Sequence, residues 1–191
     1  MNQTFQSLLF FFIESCSFIQ PDDQWSYFIL YEKGSKGYWT VAFSTMYEEL
    51  QGGSDYVAWI SQFLVLPCYQ RQGFAKLLLD SIYVHYIDET DCQEINVEKP
   101  TKEFQAVRDS FETDLMLRHN FFLPAQRVMG TPPQSLITKQ NYSGLKLTVQ
   151  ELNLIQWDLK INKSRILRSY QWLLIDHIKP AHPDAVRVLK A

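Results

Sequence analysis

Long apolar runs are scarce in this chain. The longest, Leu8 to Ile13, is closed by Glu14 and falls far short of the ~20 residues a helix needs to cross a bilayer. No basic segment before it and no small-residue cleavage site after it marks a secretory leader. Cysteine is sparse as well: Cys16, Cys68 and Cys92 stand far apart, with no CxxC pair and no histidine cluster. That argues against a disulfide frame or a structural zinc site and points to a reducing compartment, cytosol or nucleus. A basic excess is also missing. The formal charge is −3, and acidic residues gather at Asp22-Asp23, Glu48-Glu49 and Asp88-Glu89-Asp91. A broad basic face for nucleic acid is therefore disfavoured. A basic partner fits better, although such clusters commonly do no more than solvate a surface.

What the chain does contain is core-forming material. Its 191 residues are 46% hydrophobic and 15% aromatic, enough for one folded domain with a small appendage. Phe5, Leu8, Leu9, Phe12, Ile13 and Cys16 recur at helical spacing, which predicts a helix over about 4–18. Aromatic and β-branched runs at Tyr27 to Tyr31 and Tyr38 to Ser44, separated by Lys33-Gly34-Ser35-Lys36-Gly37, predict a hairpin. The nearly continuous apolar stretch Val57 to Leu66, stopped by Pro67, reads as a buried central strand.

After Gly73, Leu77, Leu78, Ile82 and Tyr83 mark an amphipathic helix over 74–87. A strand over Glu94 to Val97 follows. Thr101 then caps a helix with Phe104, Val107, Phe111 and Leu115 on one side. Pro124, Gly130, Pro132, Pro133 and Gly144 punctuate a connecting segment, 124–147. The capping-box pattern Thr148-Val149-Gln150-Glu151 opens a helix running to about Lys160, and another covers about 164–178. The organisation expected is a catalytic core over 1–123, the connector, and a helical lobe over 148–191.

The strand that ends in Gln70-Arg71-Gln72-Gly73-Phe74-Ala75 and opens directly into a helix is suited to holding a pyrophosphate. Loop and first-turn N–H groups would point at the anion, and the helix dipole adds partial positive charge. Gly73 permits close approach, Ala75 keeps the turn small, and Arg71 offers a full charge. Spacing alone favours an ordinary strand-to-helix turn.

These six residues resemble the GNAT signature (Gln/Arg)-x-x-Gly-x-(Gly/Ala). The resemblance extends to type B histone acetyltransferase catalytic subunits through Phe12 to Ile19 with Asp22 to Trp25, Ile60 to Pro67, Ile95 to Pro100 with Glu103-Phe104-Gln105 and Val107-Arg108-Asp109, and Lys160 to Lys163. It covers about residues 5–176 in the family's order. It implies an α/β GNAT acyltransferase fold, with a mixed central sheet flanked by helices and a small C-terminal helical appendage. It further implies acetyl-CoA as co-substrate and no metal. The residues it assigns to acetyl-CoA are Phe63, Leu64 and Val65 along the strand, Gln70, Arg71, Gln72, Gly73, Phe74, Ala75 and Lys76 in the loop and first turn, and Arg108.

A lysine side chain, with a pKa near ~10.4, must lose its proton before it can attack a thioester. The resemblance makes Glu98 that base, a task that calls for partial burial of its carboxylate, and places Glu14 as a second carboxylate near the amine. By itself, Glu14 closing an apolar stripe reads as a solvated or salt-bridged residue. Trp25 and Tyr47 match aromatics that wall the channel for the lysine stem, a role their chemistry shares with plain core packing. The expected reaction is direct transfer in a ternary complex, with a strand amide near Leu64 or Val65 stabilising the oxyanion. Cys68 and Cys92 would serve a covalent route, but no neighbouring histidine activates either.

The implied substrate is a free histone tail, most of all that of histone four, with a β-propeller histone chaperone as partner, no nucleic acid, no membrane, and residence in nucleus or cytoplasm. The chain departs from the family pattern at Lys99, where Asp is usual, and at Phe74 and Ala75 inside the loop. It is also expected to lack the family's amino-terminal domain. Two other readings stay open: a GNAT enzyme for another protein or a small amine, and a catalytically weak histone-binding scaffold.

Overall fold

A computed structural model describes residues 7, 10–13, 19, 22–89, 91–121 and 147–178. Most of the helix expected over 4–18 and nearly all of the 124–147 connector lie outside the described residues.

Four strands form one mixed sheet in the order β1-β2-β3-β4: β1 Trp25–Gly34, β2 Gly37–Gly52, β3 Asp55–Val65 and β4 Cys92–Val97. The first three run antiparallel and β4 joins β3 in parallel. Both antiparallel connections are tight hairpins, closed by the pairs Gly34↔Gly37 and Gly52↔Asp55. At the second, Gly53 sits at φ 65, a left-handed turn conformation that a glycine adopts without steric cost. The sequence reading stopped β2 at Ser44; the strand runs eight residues further, to Gly52.

The parallel β3–β4 pair requires a crossover, supplied by α1, Phe74–Asp88. Leu78, Leu79, Ile82, Tyr83 and Tyr86 are buried on its inner face. Leu77, expected in that stripe, is 49% exposed, because helical geometry turns it away from the face shared by residues 78, 82 and 86. Tyr86 Oη donates to Glu48 Oε1 at 3.0 Å, and Glu48 also accepts from Ser26 Oγ at 3.1 Å. The Tyr86 ring lies 6.2 Å from that of Phe28. Helix α1 therefore covers the face of the sheet that carries Ser26, Phe28 and Glu48.

Helix α2, Lys102–Arg118, begins where Thr101 Oγ1 accepts from the Phe104 N–H at 3.2 Å, the cap expected. The chain divides into two compact units within this helix, between Arg108 and Asp109, upstream of the boundary expected at 123. In the second unit, α3 (Val149–Leu159) and α4 (Lys163–Ile178) follow the capping box at Thr148, both of whose bonds are present. Arg165 there reaches Asp109 Oδ1 at 2.9 Å and the fully buried Glu112 Oε2 at 2.7 Å.

Candidate active site

Strand β3 has two neighbours over only part of its length. Its pairing with β4 runs from Tyr56↔Cys92 to Ile60↔Val97 and then ends, while β3 continues to Val65 beside β2. Among the described residues no strand pairs with the far edge of 61–65. At the point of separation the register with β2 slips from Met46↔Ile60 to Thr45↔Gln62, making Ser61 the extra residue of a β-bulge. Past the bulge, Leu66 N–H donates to Val41 O at 3.0 Å. Since backbone N–H groups along an antiparallel strand face alternate edges, those of Phe63 and Val65 point to the open edge, and that of Leu64 points to β2. Of the two amides expected to serve as donor, that of Val65 faces the open edge and that of Leu64 does not. The open edge is a row of backbone groups able to pair with the amides of an extended arm.

Beyond β3 the chain makes a single short turn, Pro67–Tyr69, and enters the loop. Two glutamine side chains fold that loop on itself: Gln70 Nε2 donates to Val65 O at 3.0 Å and Gln72 Nε2 to Cys68 O at 2.9 Å. Their amides thus support the loop's shape. Arg71 and Gly73 both have left-handed backbones, at φ 60 and φ 89, a local arrangement that turns successive N–H groups to one side as a nest for an anion. Gly73 is the N-cap of α1, no side chain caps the helix, and its first turn carries no acidic residue. The first N–H groups of a helix have no intrahelical acceptor, so this end keeps both its donors and its partial positive charge. Gln70, Arg71, Gln72 and Gly73 are exposed; Phe74, Ala75 and Lys76 are half-buried, with Phe74 edge-on to Tyr69 at 5.8 Å. These features fit a pyrophosphate.

Glu98 emerges where β4 leaves the sheet. Its N–H donates to Ile60 O at 2.9 Å, and its Oε2 accepts from Ser61 Oγ at 3.0 Å. The carboxylate is exposed, contrary to the partial burial expected, because the sheet that would have covered it opens at this residue. Lys99 follows, exposed and at φ 43.

Trp25 and Tyr47 are register partners with ring centroids 5.1 Å apart, and Tyr47 Oη donates to Gln24 Oε1 at 3.3 Å. Tyr47 in turn pairs with Trp59, and Trp59 with Asn96. Register partners share a face, so Trp25, Tyr47, Trp59 and Asn96 form one row across the sheet. Alternation from Asn96 places Glu98 on that same face, opposite the one covered by α1. Trp59 was missed in the sequence because Val57 to Leu66 reads as a continuous apolar run. Its alternation with the buried Ala58 and Ile60 was the available signal. It is half-buried, and its Nε1 donates to Glu49 Oε2 at 2.9 Å.

Arg108, expected at the cofactor, is buried. It is 3% exposed, with Nη2 donating to Ile95 O at 2.7 Å and to Tyr83 Oη at 3.2 Å. Its guanidinium ties α2 to β4 and α1. Glu14 lies outside the described residues. Cys68 is exposed and Cys92 buried, both as free thiols. No group of metal-ligating side chains occurs among the described residues, and no helix among them is long and apolar enough to cross a membrane.

Residues 3–108 match the family model described as the acetyltransferase (GNAT) family. The chain is also similar to histone acetyltransferase type B catalytic subunits. That of Rattus norvegicus is 33% identical over 113 residues, covering 56% of this chain and 27% of the relative. That of Dictyostelium discoideum is 31% identical over 130 residues, covering 63% and 27%. One from Cryptococcus neoformans var. neoformans serotype D is 24% identical over 202 residues, covering 99% and 45%. The chain thus spans less than half the length of these curated relatives.

Proposed function

The chain belongs to the GNAT acetyltransferase family, and from that premise we propose that it transfers acetyl from acetyl-CoA to lysines of free histone tails, foremost histone four. The observation that carries this reading is the β3 edge left open beyond Ile60, with Glu98 hydrogen-bonded beside it. The bound thioester would supply the activated acetyl group. Phe63 and Val65 N–H would pair with the pantetheine arm and donate to the carbonyl oxygen as negative charge develops there. The loop from Gln70 to Gly73 and the first turn to Lys76 would cradle the pyrophosphate, with Arg71 adding charge.

Glu98 then takes a proton from the substrate ammonium, directly or through one water; the amine's lone pair forms the C–N bond as the C–S bond breaks, and the nitrogen's second proton passes to the departing thiolate sulfur. Trp25 and Tyr47, continued by Trp59, offer flat apolar surface to the lysine stem. Exposed carboxylates at Asp22, Asp23 and Glu49 beside that row complement a basic peptide, which favours a protein tail over a small amine. A second carboxylate at Glu14, a β-propeller histone chaperone as partner and residence in nucleus and cytoplasm belong to the same proposal.

The test is acetyl transfer from acetyl-CoA to a histone-four tail peptide, beside a polyamine and an unrelated basic peptide, with Glu98→Gln as control. The expected result is turnover on the histone peptide that falls roughly 10²-fold or more in the variant, with coenzyme A affinity unchanged. Coenzyme binding without turnover on any amine would replace the enzyme by a histone-binding scaffold.

A further inference from the structure

We propose that Ser61 is a positioning residue for the general base, an inference that rests on the assignment of Glu98 above. Three independent features meet at this serine. It is the extra residue of the β3 bulge, where the register with β2 slips. It directly follows Ile60, the last residue of β3 paired with β4 and the acceptor of the Glu98 N–H at 2.9 Å. Its hydroxyl donates to Glu98 Oε2 at 3.0 Å. Bulges recur next to active sites because the inserted residue re-aims a side chain.

The consequence is geometric. Glu98 lies past the end of β4 and its side chain is exposed, so no packing holds its rotamer. A carboxylate on a flexible stem samples several orientations, and a base must meet the ammonium within hydrogen-bond reach. The Ile60 carbonyl fixes the Glu98 backbone and the Ser61 hydroxyl fixes one carboxylate oxygen. Oε1 is then left to accept the proton, while Oε2 stays engaged. Ser61 itself touches neither the acetyl group nor the amine.

Steady-state kinetics with the histone-four tail peptide test this in wild type, Ser61→Ala, Ser61→Cys, Ser61→Thr and Glu98→Gln, and in Glu98→Gln combined with Ser61→Ala, with coenzyme A titrated into each. Losing a hydrogen bond to a charged group should lower kcat by about tenfold in the Ala and Cys variants. KM for the peptide and coenzyme A affinity should change less than about twofold. Thr, which keeps the hydroxyl, should recover most of the rate, and Ser61→Ala should cost nothing further once Glu98 is Gln. Full kcat in both Ala and Cys variants beside a collapsed Glu98→Gln would overturn the role of Ser61 and leave the base assignment standing. So would an equal loss in the Thr variant, or an undiminished loss in the double variant. Unimpaired Glu98→Gln would overturn both assignments together.

Discussion

Gly73 holds φ 89, and a Cβ built there would meet nothing within 4 Å. The demand on this residue is therefore conformational rather than spatial. An alanine would fit the room but would adopt a backbone that costs an L residue about 1–2 kcal/mol; an aspartate would add an anion where phosphates are expected. Gly73→Asp should abolish coenzyme A binding, whereas Gly73→Ala should weaken it by no more than about thirtyfold, both read by calorimetric titration. Equal affinity of the Asp variant and wild type would show that the loop holds no phosphate. The same scale separates Glu98 from Arg108. Both occupy motif positions, yet one emerges at the opening of the sheet and the other bridges Tyr83 and Ile95 within the core. Motif position assigned them different roles, base and cofactor contact, but said nothing of their exposure.

Arg165 shows how elements are joined in the second compact unit. Its guanidinium, on α4, meets Asp109 and Glu112 of α2, and Arg168 adds a 2.9 Å bond to Asp109. Glu112 is wholly buried, so removing Arg165 takes an ion-pair partner from a carboxylate in the interior. Arg165→Ala should destabilise this unit by about 3–5 kcal/mol, measured by denaturant unfolding, with most of the loss restored when Glu112→Gln is added. Helix existence was legible from periodicity and capping at Thr101 and Thr148. This ion cluster was not, because its partners lie more than fifty residues apart along the chain.

For the molecule as a whole, buried tyrosine makes stability depend on pH at the alkaline end. Burial first, and the Glu48 carboxylate second, push Tyr86 above the ordinary value of 10.0; burial likewise raises Tyr56. Above about pH 10 the unfolded chain releases these protons while the folded one keeps them, so the unfolded state binds fewer and stability falls with rising pH. Below pH 10 the contribution is intact. Denaturant midpoints should fall steadily from about pH 10 upward. Tyr86→Phe should be weaker at neutral pH by about 1 kcal/mol for its lost hydrogen bond, and should show a shallower alkaline decline. An alkaline slope identical to wild type would remove Tyr86 from this account.

The amino-acid sequence by itself determined the local features. Apolar, aromatic and β-branched runs with the Gly34–Gly37 turn marked the strands, helical spacing marked α1 to α4 with caps at Thr101 and Thr148, and Gln70 to Ala75 marked the loop, because each depends on neighbours a few residues away. Tertiary structure alone decided which groups face the open edge. The bulge at Ser61 and the end of pairing at Ile60↔Val97 are properties of strands meeting across the sheet. They turn Val65 and Phe63 outward, set Ser61 against Glu98, and align Trp59 with Tyr47 and Trp25. Strand register depends on partners remote in sequence, and a slip of one residue exchanges the faces of everything beyond it.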